Sequence, residues 1–212
     1  MAPTGDHGRV PRQALRLEWL TIAWNAGEVG ITVGLGVLAG SLALVAFGLD
    51  SMVEIFASLV VVWHLRGDRA SRSRMVLGLR LVAGAFLALA VVLAAGGTVR
   101  LAGGAVPDES PVGVAYLALT VVVMMWLARA KAGAGQVLGA GPLASESRMT
   151  YLDSLLAAAI LAALIVNAAL GWWWADSLAV LAVAVIAVVE GRQNLERARK
   201  LEALAARPAT PS

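Results

Sequence analysis

Six long apolar stretches make up most of the chain, and short polar or charged segments separate them. Each stretch approaches the length of about 20 mostly apolar residues that a helix needs to cross the hydrocarbon core of a bilayer. The stretches are residues 17–38, 42–65, 75–99, 112–128, 148–170 and 173–189. The pattern therefore predicts an all-α polytopic membrane protein with six transmembrane helices.

The lengths of the segments between these stretches predict the division of the chain. We expect a cytoplasmic N-terminal tail over residues 1–16, a six-helix membrane domain over residues 17–191 and a short cytoplasmic C-terminal tail over residues 192–212. The connecting segments are short, so we expect no separate folded domain outside the membrane.

The composition excludes several classes of protein. Hydrophobic residues make up 59% of the chain and charged residues 15%, whereas soluble domains average about 45–50% and about 25%. Intrinsic disorder is excluded, and a soluble globular fold is not expected. The chain has no cysteine, which excludes a disulfide scaffold, a thiolate metal site and a cysteine nucleophile.

The basic residues predict the orientation in the membrane. Apart from Arg80 and Arg100, they lie before the first stretch, after the second, after the fourth and after the sixth. They are Arg9, Arg12, Arg16, Arg66, Arg69, Arg72, Arg74, Arg129, Lys131, Arg148, Arg192, Arg197, Arg199, Lys200 and Arg207. Because cytoplasmic loops carry the excess of Lys and Arg, both termini are predicted to be cytoplasmic in a multi-pass protein of the cell (inner) membrane. The net charge of +3 thus reflects topology, and nucleic acid is not a predicted partner.

Two acidic residues stand out within the second stretch. Asp50 and Glu54 are four residues apart, so they stack on one helical face about 6 Å apart along the axis. A charged group near the bilayer centre is costly and usually faces a cavity or a partner. Two adjacent carboxylates are tolerable if one is protonated or if a cation lies between their oxygens.

The fifth stretch offers a matching polar face. Glu146, Thr150 and Asp153 follow at spacings of four and three, which places them on one side of a helix. If this face meets that of Asp50 and Glu54, four carboxylates line one cavity. The sequence thus predicts an all-oxygen cation site that exchanges metal for protons.

A structural role for these acids is the competing interpretation. A membrane acid can be kept neutral, or paired with a basic residue such as Arg80, for folding alone. This explanation suits one acid, such as Glu28 in the first stretch, better than it suits three acids together. Whether Glu28, Thr150 or His64 contributes to the cation site stays open at this point.

The residues around these acids resemble those of a known family. Residues 40–54, Gly-Ser-Leu-Ala-Leu-Val-Ala-Phe-Gly-Leu-Asp-Ser-Met-Val-Glu, are similar to the second helix of cation diffusion facilitators. Residues 171–179 resemble the start of that family's sixth helix, and residues 146–153 occupy the place of its fifth-helix ligands. The resemblance covers about residues 17–192 and is closest to the family's short branch, which lacks the cytoplasmic domain.

The resemblance implies a dimeric secondary transporter that exports a divalent metal against inward proton movement, without a prosthetic group. It makes Asp50 and Glu54 the first pair of ligands and Asp153 the third, with Glu146 as our candidate for the fourth. Zinc is the family default, but the fifth-helix histidine common in zinc exporters is replaced by Met149. A site built from oxygen alone suits Mn²⁺ or Fe²⁺ at least as well.

Two other functional classes are alternatives to a transporter. One is a non-transporting membrane scaffold or subunit whose acids pair with basic residues of a partner. The other is a membrane-embedded hydrolase, but the chain has no His-Glu-x-x-His, no Gly-x-Ser-x-Gly and no Gly-Lys-Ser/Thr, which are the motifs that would indicate one. We therefore predict a protein that is not an enzyme.

Overall fold

A computed structural model describes residues 12–65, 72–138 and 141–206, and in these ranges all regular structure is helical. The six helices are α1 (Arg12–Leu38), α2 (Leu42–Leu65), α3 (Arg72–Gly103), α4 (Pro111–Leu138), α5 (Gly141–Leu170) and α6 (Trp174–Ala206). The all-helical prediction is confirmed. The basic residues predicted for both chain ends and for the segment 66–71 lie partly outside the described residues.

Five of the helices are long and apolar enough to cross a membrane. Within the described residues, the qualifying segments are Trp19–Leu38, Met75–Gly103, Pro111–Gly133, Thr150–Leu170 and Trp174–Leu204. They belong to α1, α3, α4, α5 and α6, which supports a membrane-embedded protein. That α2 crosses as well, giving six spans, stays a prediction.

Five of the six helices are longer than their apolar stretches, and α4 and α6 differ most. The fourth stretch ends at Ala128, but α4 continues to Leu138, and α6 continues to Ala206. The apolar pattern follows the hydrocarbon layer, whereas a helix can continue beyond it. Arg129 and Lys131, which the sequence predicts to begin a cytoplasmic loop after the fourth stretch, instead lie on α4.

The helices pack mainly as three pairs, α1 with α2, α3 with α6 and α4 with α5. α2 also packs on α3 and α6, while α2 and α5 make little contact. Aliphatic and aromatic side chains such as Leu44, Phe47 and Val183 fill the interior between α2, α3, α5 and α6. Other large apolar side chains, such as Val91 and Val92, point outward, as they do in a bundle that faces lipid.

The α1–α2 pair depends on two glycines. A Cβ atom at Gly48 would lie 2.5 Å from Thr32 Oγ1 and 2.7 Å from Val33 Cγ2. A Cβ atom at Gly36 would lie 2.7 Å from the backbone nitrogen of Val45. Small residues let membrane helices approach closely, so these glycines fix α1 directly against α2.

A carboxylate joins the start of α2 to the start of α6. Ser41 donates its hydroxyl hydrogen to Asp176 and accepts a hydrogen bond from the backbone N–H of Leu44 at 3.3 Å. Asp176 also accepts from the backbone N–H groups of Leu42, at 3.1 Å, and Ala43, at 3.4 Å. A negative charge is favourable at a helix N-terminus, and Asp176, in the first turn of α6, serves α2 as well. These hydrogen bonds to Asp176 fix the start of α2 beside the start of α6.

The α1–α2 contact generates a stability prediction. Gly48→Ala should lower the unfolding temperature of the purified protein in detergent by several degrees, because overpacking costs about 1–3 kcal/mol. Gly84→Ala is the matched control, since a Cβ atom there meets no heavy atom of the described chain within 4 Å. Equal unfolding temperatures for the two variants would contradict the close approach of α1 and α2.

Candidate cation site

The structure brings three of the predicted ligands together. The carboxyl groups of Glu54, on α2, and Asp153, on α5, lie within hydrogen-bonding distance of each other. Asp50, one turn before Glu54, interacts electrostatically with both. Two carboxylates this close repel each other when both are ionised, so the pair is stable only with a proton or a cation between its oxygens.

The fourth predicted ligand lies outside the part of the chain whose side chains are described. Glu146 falls on α5, two turns before Asp153. The side chain of His64 also lies outside the described part, while Thr150 is buried. The assignment of Glu146 as a ligand therefore stays a prediction.

Glu28 joins the same group of acids from α1. Its side chain is only 1% exposed, and it interacts electrostatically with Glu54 and Asp50. The hydroxyl groups of Ser51 and Thr120 lie beside it. Among the described residues, however, neither carboxylate oxygen of Glu28 has a hydrogen-bond partner of regular geometry. This buried acid is therefore close to the predicted ligands and unsatisfied.

Two further polar side chains border the acids. Asn25, on α1, donates from Nδ2 to Glu54 Oε2 at 3.0 Å. Glu190, on α6, is 5% exposed and interacts electrostatically with Asp50 and Glu54. Four helices thus contribute acidic or amide groups to one region of the bundle.

Of two basic residues considered as partners of the acids, Lys131 lies near them and Arg80 does not. Lys131, on α4, is fully buried and interacts electrostatically with Asp153. Arg80, considered above as a structural partner of the membrane acids, instead forms an ion pair with Glu202 at 2.8 Å on an exposed surface. The acids are therefore not held in place by that arginine.

The acids lie deep within the bundle. At 1.5 Å per residue, Glu28 is about 15 Å from the loop end of α1 and Glu54 is about 18 Å from the start of α2. Half the hydrocarbon thickness of a bilayer is about 15 Å. Glu28 and Asp50 are buried, whereas Glu54 and Asp153 are partly accessible. The four acids thus comprise two partly accessible side chains and two buried ones.

The arrangement is not a preformed metal site. Over residues 12–65, 72–138 and 141–206, no group of three or more His, Cys, Asp or Glu side chains is set so that it could hold a metal ion. The carboxyl groups are neighbours, but they do not converge on one point. Such a cluster can hold shared protons, or it can close around a cation, and its oxygen donors favour hard cations.

No protein-family model matches the chain, and no curated protein shows significant sequence similarity to it. The resemblance of residues 40–54 to cation diffusion facilitators therefore stays a prediction from the sequence. A function can therefore be inferred only from the geometry of the acids and from the helices that carry them.

Three side chains near the acids were not predicted from the sequence as part of the site: Asn25, Glu190 and Lys131. Asn25 lies three residues before Glu28 on the same face of α1, so helical spacing alone would have indicated it. Lys131 follows the fourth apolar stretch and was assigned to topology. No pattern in the sequence distinguishes it from Arg129, which is exposed on the same helix.

The burial of Lys131 generates a prediction about coupling. Lys131→Met should lower the unfolding temperature, because it removes a buried positive charge that lies within electrostatic range of Asp153. The double variant Lys131→Met/Asp153→Asn should recover part of the loss, since the remaining charge is also removed. Arg129→Met is the control and should have little effect. Additive losses in the double variant would show that the two groups are not coupled.

Proposed function

We propose that this protein is a secondary active transporter that exports a divalent metal cation in exchange for protons. The observation that carries the proposal is the meeting of Glu28, Asp50, Glu54 and Asp153, from three helices, inside an apolar bundle. Ionisable residues within membrane segments are expensive and usually mark an ion pathway. A cluster of four is difficult to explain by folding alone.

A comparison within the same protein supports a binding role. Asp176 is a buried acid with a structural task, and both of its oxygens accept hydrogen bonds from the start of α2. By contrast, Asp50 Oδ1 and both oxygens of Glu28 find no hydrogen-bond partner among the described residues. Buried polar atoms are normally satisfied, so these oxygens are suited to a ligand that comes and goes.

The pair of Glu54 and Asp153 provides a route for exchange. A divalent cation arriving from the cytoplasm meets this partly accessible pair, and the proton shared by the two carboxyl groups leaves as their oxygens bind the cation. Asp50 then provides a further oxygen one turn deeper on α2. Protons arriving from the outer side restore the carboxyl groups and release the cation.

The helix packing allows such a cycle. Asp153 is carried by α5, which pairs with α4, whereas Asp50 and Glu54 are carried by α2, which pairs with α1. The two pairs meet mainly through α1 and α4, where Trp24 stacks on Tyr116, while α2 and α5 contact each other only slightly. Because this interface is smaller than the one within either pair, we propose that the pairs move relative to each other during the cycle. This motion would open the site to one side of the membrane and then to the other.

The remaining parts of the proposal follow from the sequence. The cargo is zinc by the family resemblance, with manganese or iron favoured by the oxygen donors, and Glu146 is a further candidate ligand. The distribution of Lys and Arg favours cytoplasmic termini in the cell (inner) membrane. The family resemblance favours a homodimer.

Transport assays test the proposal. In proteoliposomes with an imposed pH gradient, Asp50→Asn, Glu54→Gln and Asp153→Asn should each lose most of the flux of Zn²⁺ or Mn²⁺, since each removes a ligand charge. Glu202→Gln is the control, because it removes an acid of the exposed pair with Arg80, and it should retain flux. Absence of flux in the unaltered protein, with a co-purifying partner, would instead favour a membrane scaffold.

The orientation has its own test. The chain has no cysteine, so a single introduced thiol can be labelled on a clean background. A membrane-impermeant maleimide should label Glu109→Cys in intact cells, and it should label Glu196→Cys only after permeabilisation. Both residues are exposed in the structure. The reverse pattern would place the termini outside the cytoplasm.

A further inference from the structure

We infer that Glu28 and Thr120 provide additional oxygen ligands from α1 and α4, and that they make the site selective for a hard cation such as Mn²⁺ over Zn²⁺. This inference rests on the proposed function, because it concerns the same site. It extends the predicted ligand set, which came from α2 and α5 alone, to two more helices.

The first argument is the state of the Glu28 carboxylate. It is 1% exposed and lies within electrostatic range of Glu54 and Asp50. Burying a carboxyl group without hydrogen bonds is costly. The hydroxyls of Ser51 and Thr120 lie beside it, but in the described part of the chain neither of its oxygens accepts a hydrogen bond of regular geometry. Both oxygens of Asp176, a buried acid with a structural role, accept such bonds.

The second argument is the hydroxyl group of Thr120. This side chain is fully buried and lies beside Glu28, and its Oγ1 has no regular hydrogen bond to any described residue. Thr32 is equally buried, but its hydroxyl donates to the backbone oxygen of Glu28 at 2.7 Å. Thr120 therefore retains an oxygen for a ligand, whereas the hydroxyl of Thr32 is engaged within its own helix.

The third argument is that α1 is held where Glu28 can act. Gly36 and Gly48 bring the backbones of α1 and α2 together. The hydrogen bond from Asn25 to Glu54 ties the same face of α1 to the predicted ligands. Glu28 lies one turn from Asn25 on that face. Its position is therefore fixed by the glycine contacts at one end and by the Asn25–Glu54 hydrogen bond at the other.

The donor types indicate the class of cation. Adding Glu28 and Thr120 to Asp50, Glu54 and Asp153 gives only carboxylate and hydroxyl oxygens, supplied by four helices. Zn²⁺ prefers four ligands that include nitrogen or sulfur, whereas oxygen-rich sites of higher coordination number suit Mn²⁺, Mg²⁺ and Ca²⁺. Removing Glu28 should therefore weaken the binding of Mn²⁺ more than that of Zn²⁺.

Equilibrium metal binding tests this inference. The full chain is purified in detergent, the binding of Mn²⁺ is measured from the electron paramagnetic resonance signal of the free ion, and Zn²⁺ is measured by competition. Glu28→Gln and Thr120→Val should each weaken Mn²⁺ binding, Glu28→Gln by about tenfold or more, and should lower the preference for Mn²⁺ over Zn²⁺. Thr32→Val is the matched control for Thr120→Val and should bind as the unaltered protein does.

The outcomes separate this inference from the proposed function. If the unaltered protein binds Mn²⁺ and Glu28→Gln binds it equally well, Glu28 is not a ligand, while the transport proposal stands. Equal weakening of Mn²⁺ and Zn²⁺ in Glu28→Gln would indicate a structural role and would also overturn the inference. If the unaltered protein binds neither metal, the proposed function itself fails.

Discussion

Hydrocarbon offers no hydrogen bonds, and this one constraint determines how every polar group in the bundle is arranged. The backbone meets it by forming six helices, in which the N–H and C=O groups bond within each segment. The start of α2 meets it with Ser41 and with Asp176 from α6. In both cases the polar groups receive fixed partners, so they contribute to stability and are not available for binding.

The acids near the middle of the bundle respond to the same constraint differently. Glu54 has Asn25 and Asp153 as partners, and Asp153 has Lys131 within electrostatic range. Glu28 and part of Asp50 are left without partners among the described residues. The polar groups thus range from fully satisfied to unsatisfied within one fold. Glu28 and Asp50 are also the two buried members of the four acids, so a bound cation or a proton would stabilise them most.

Much of the fold could be predicted from the sequence, because lipid requires long apolar helices and the apolar stretches are easy to recognise. The helix ends were less predictable, since α4 continues past its apolar stretch to Leu138. For the site, spacing within one helix correctly paired Asp50 with Glu54. The neighbours supplied by other helices, Glu28 and Lys131, depend on how those helices pack. The spacing of residues within one helix carries no information about how that helix packs on the others.

The close contact of Gly36 and Gly48 with the opposite helix has a mechanical consequence. Backbones in such contact cannot slide past each other without collision, so we expect α1 and α2 to move as one rigid unit. Glu28, Asp50 and Glu54 all lie on this unit, whereas Asp153 lies on the α4–α5 pair. If the two pairs move relative to each other, the distance that changes is that from Asp153 to the other three acids. In the transport cycle proposed above, one displacement would then alter both the access to the cation and the number of oxygens around it.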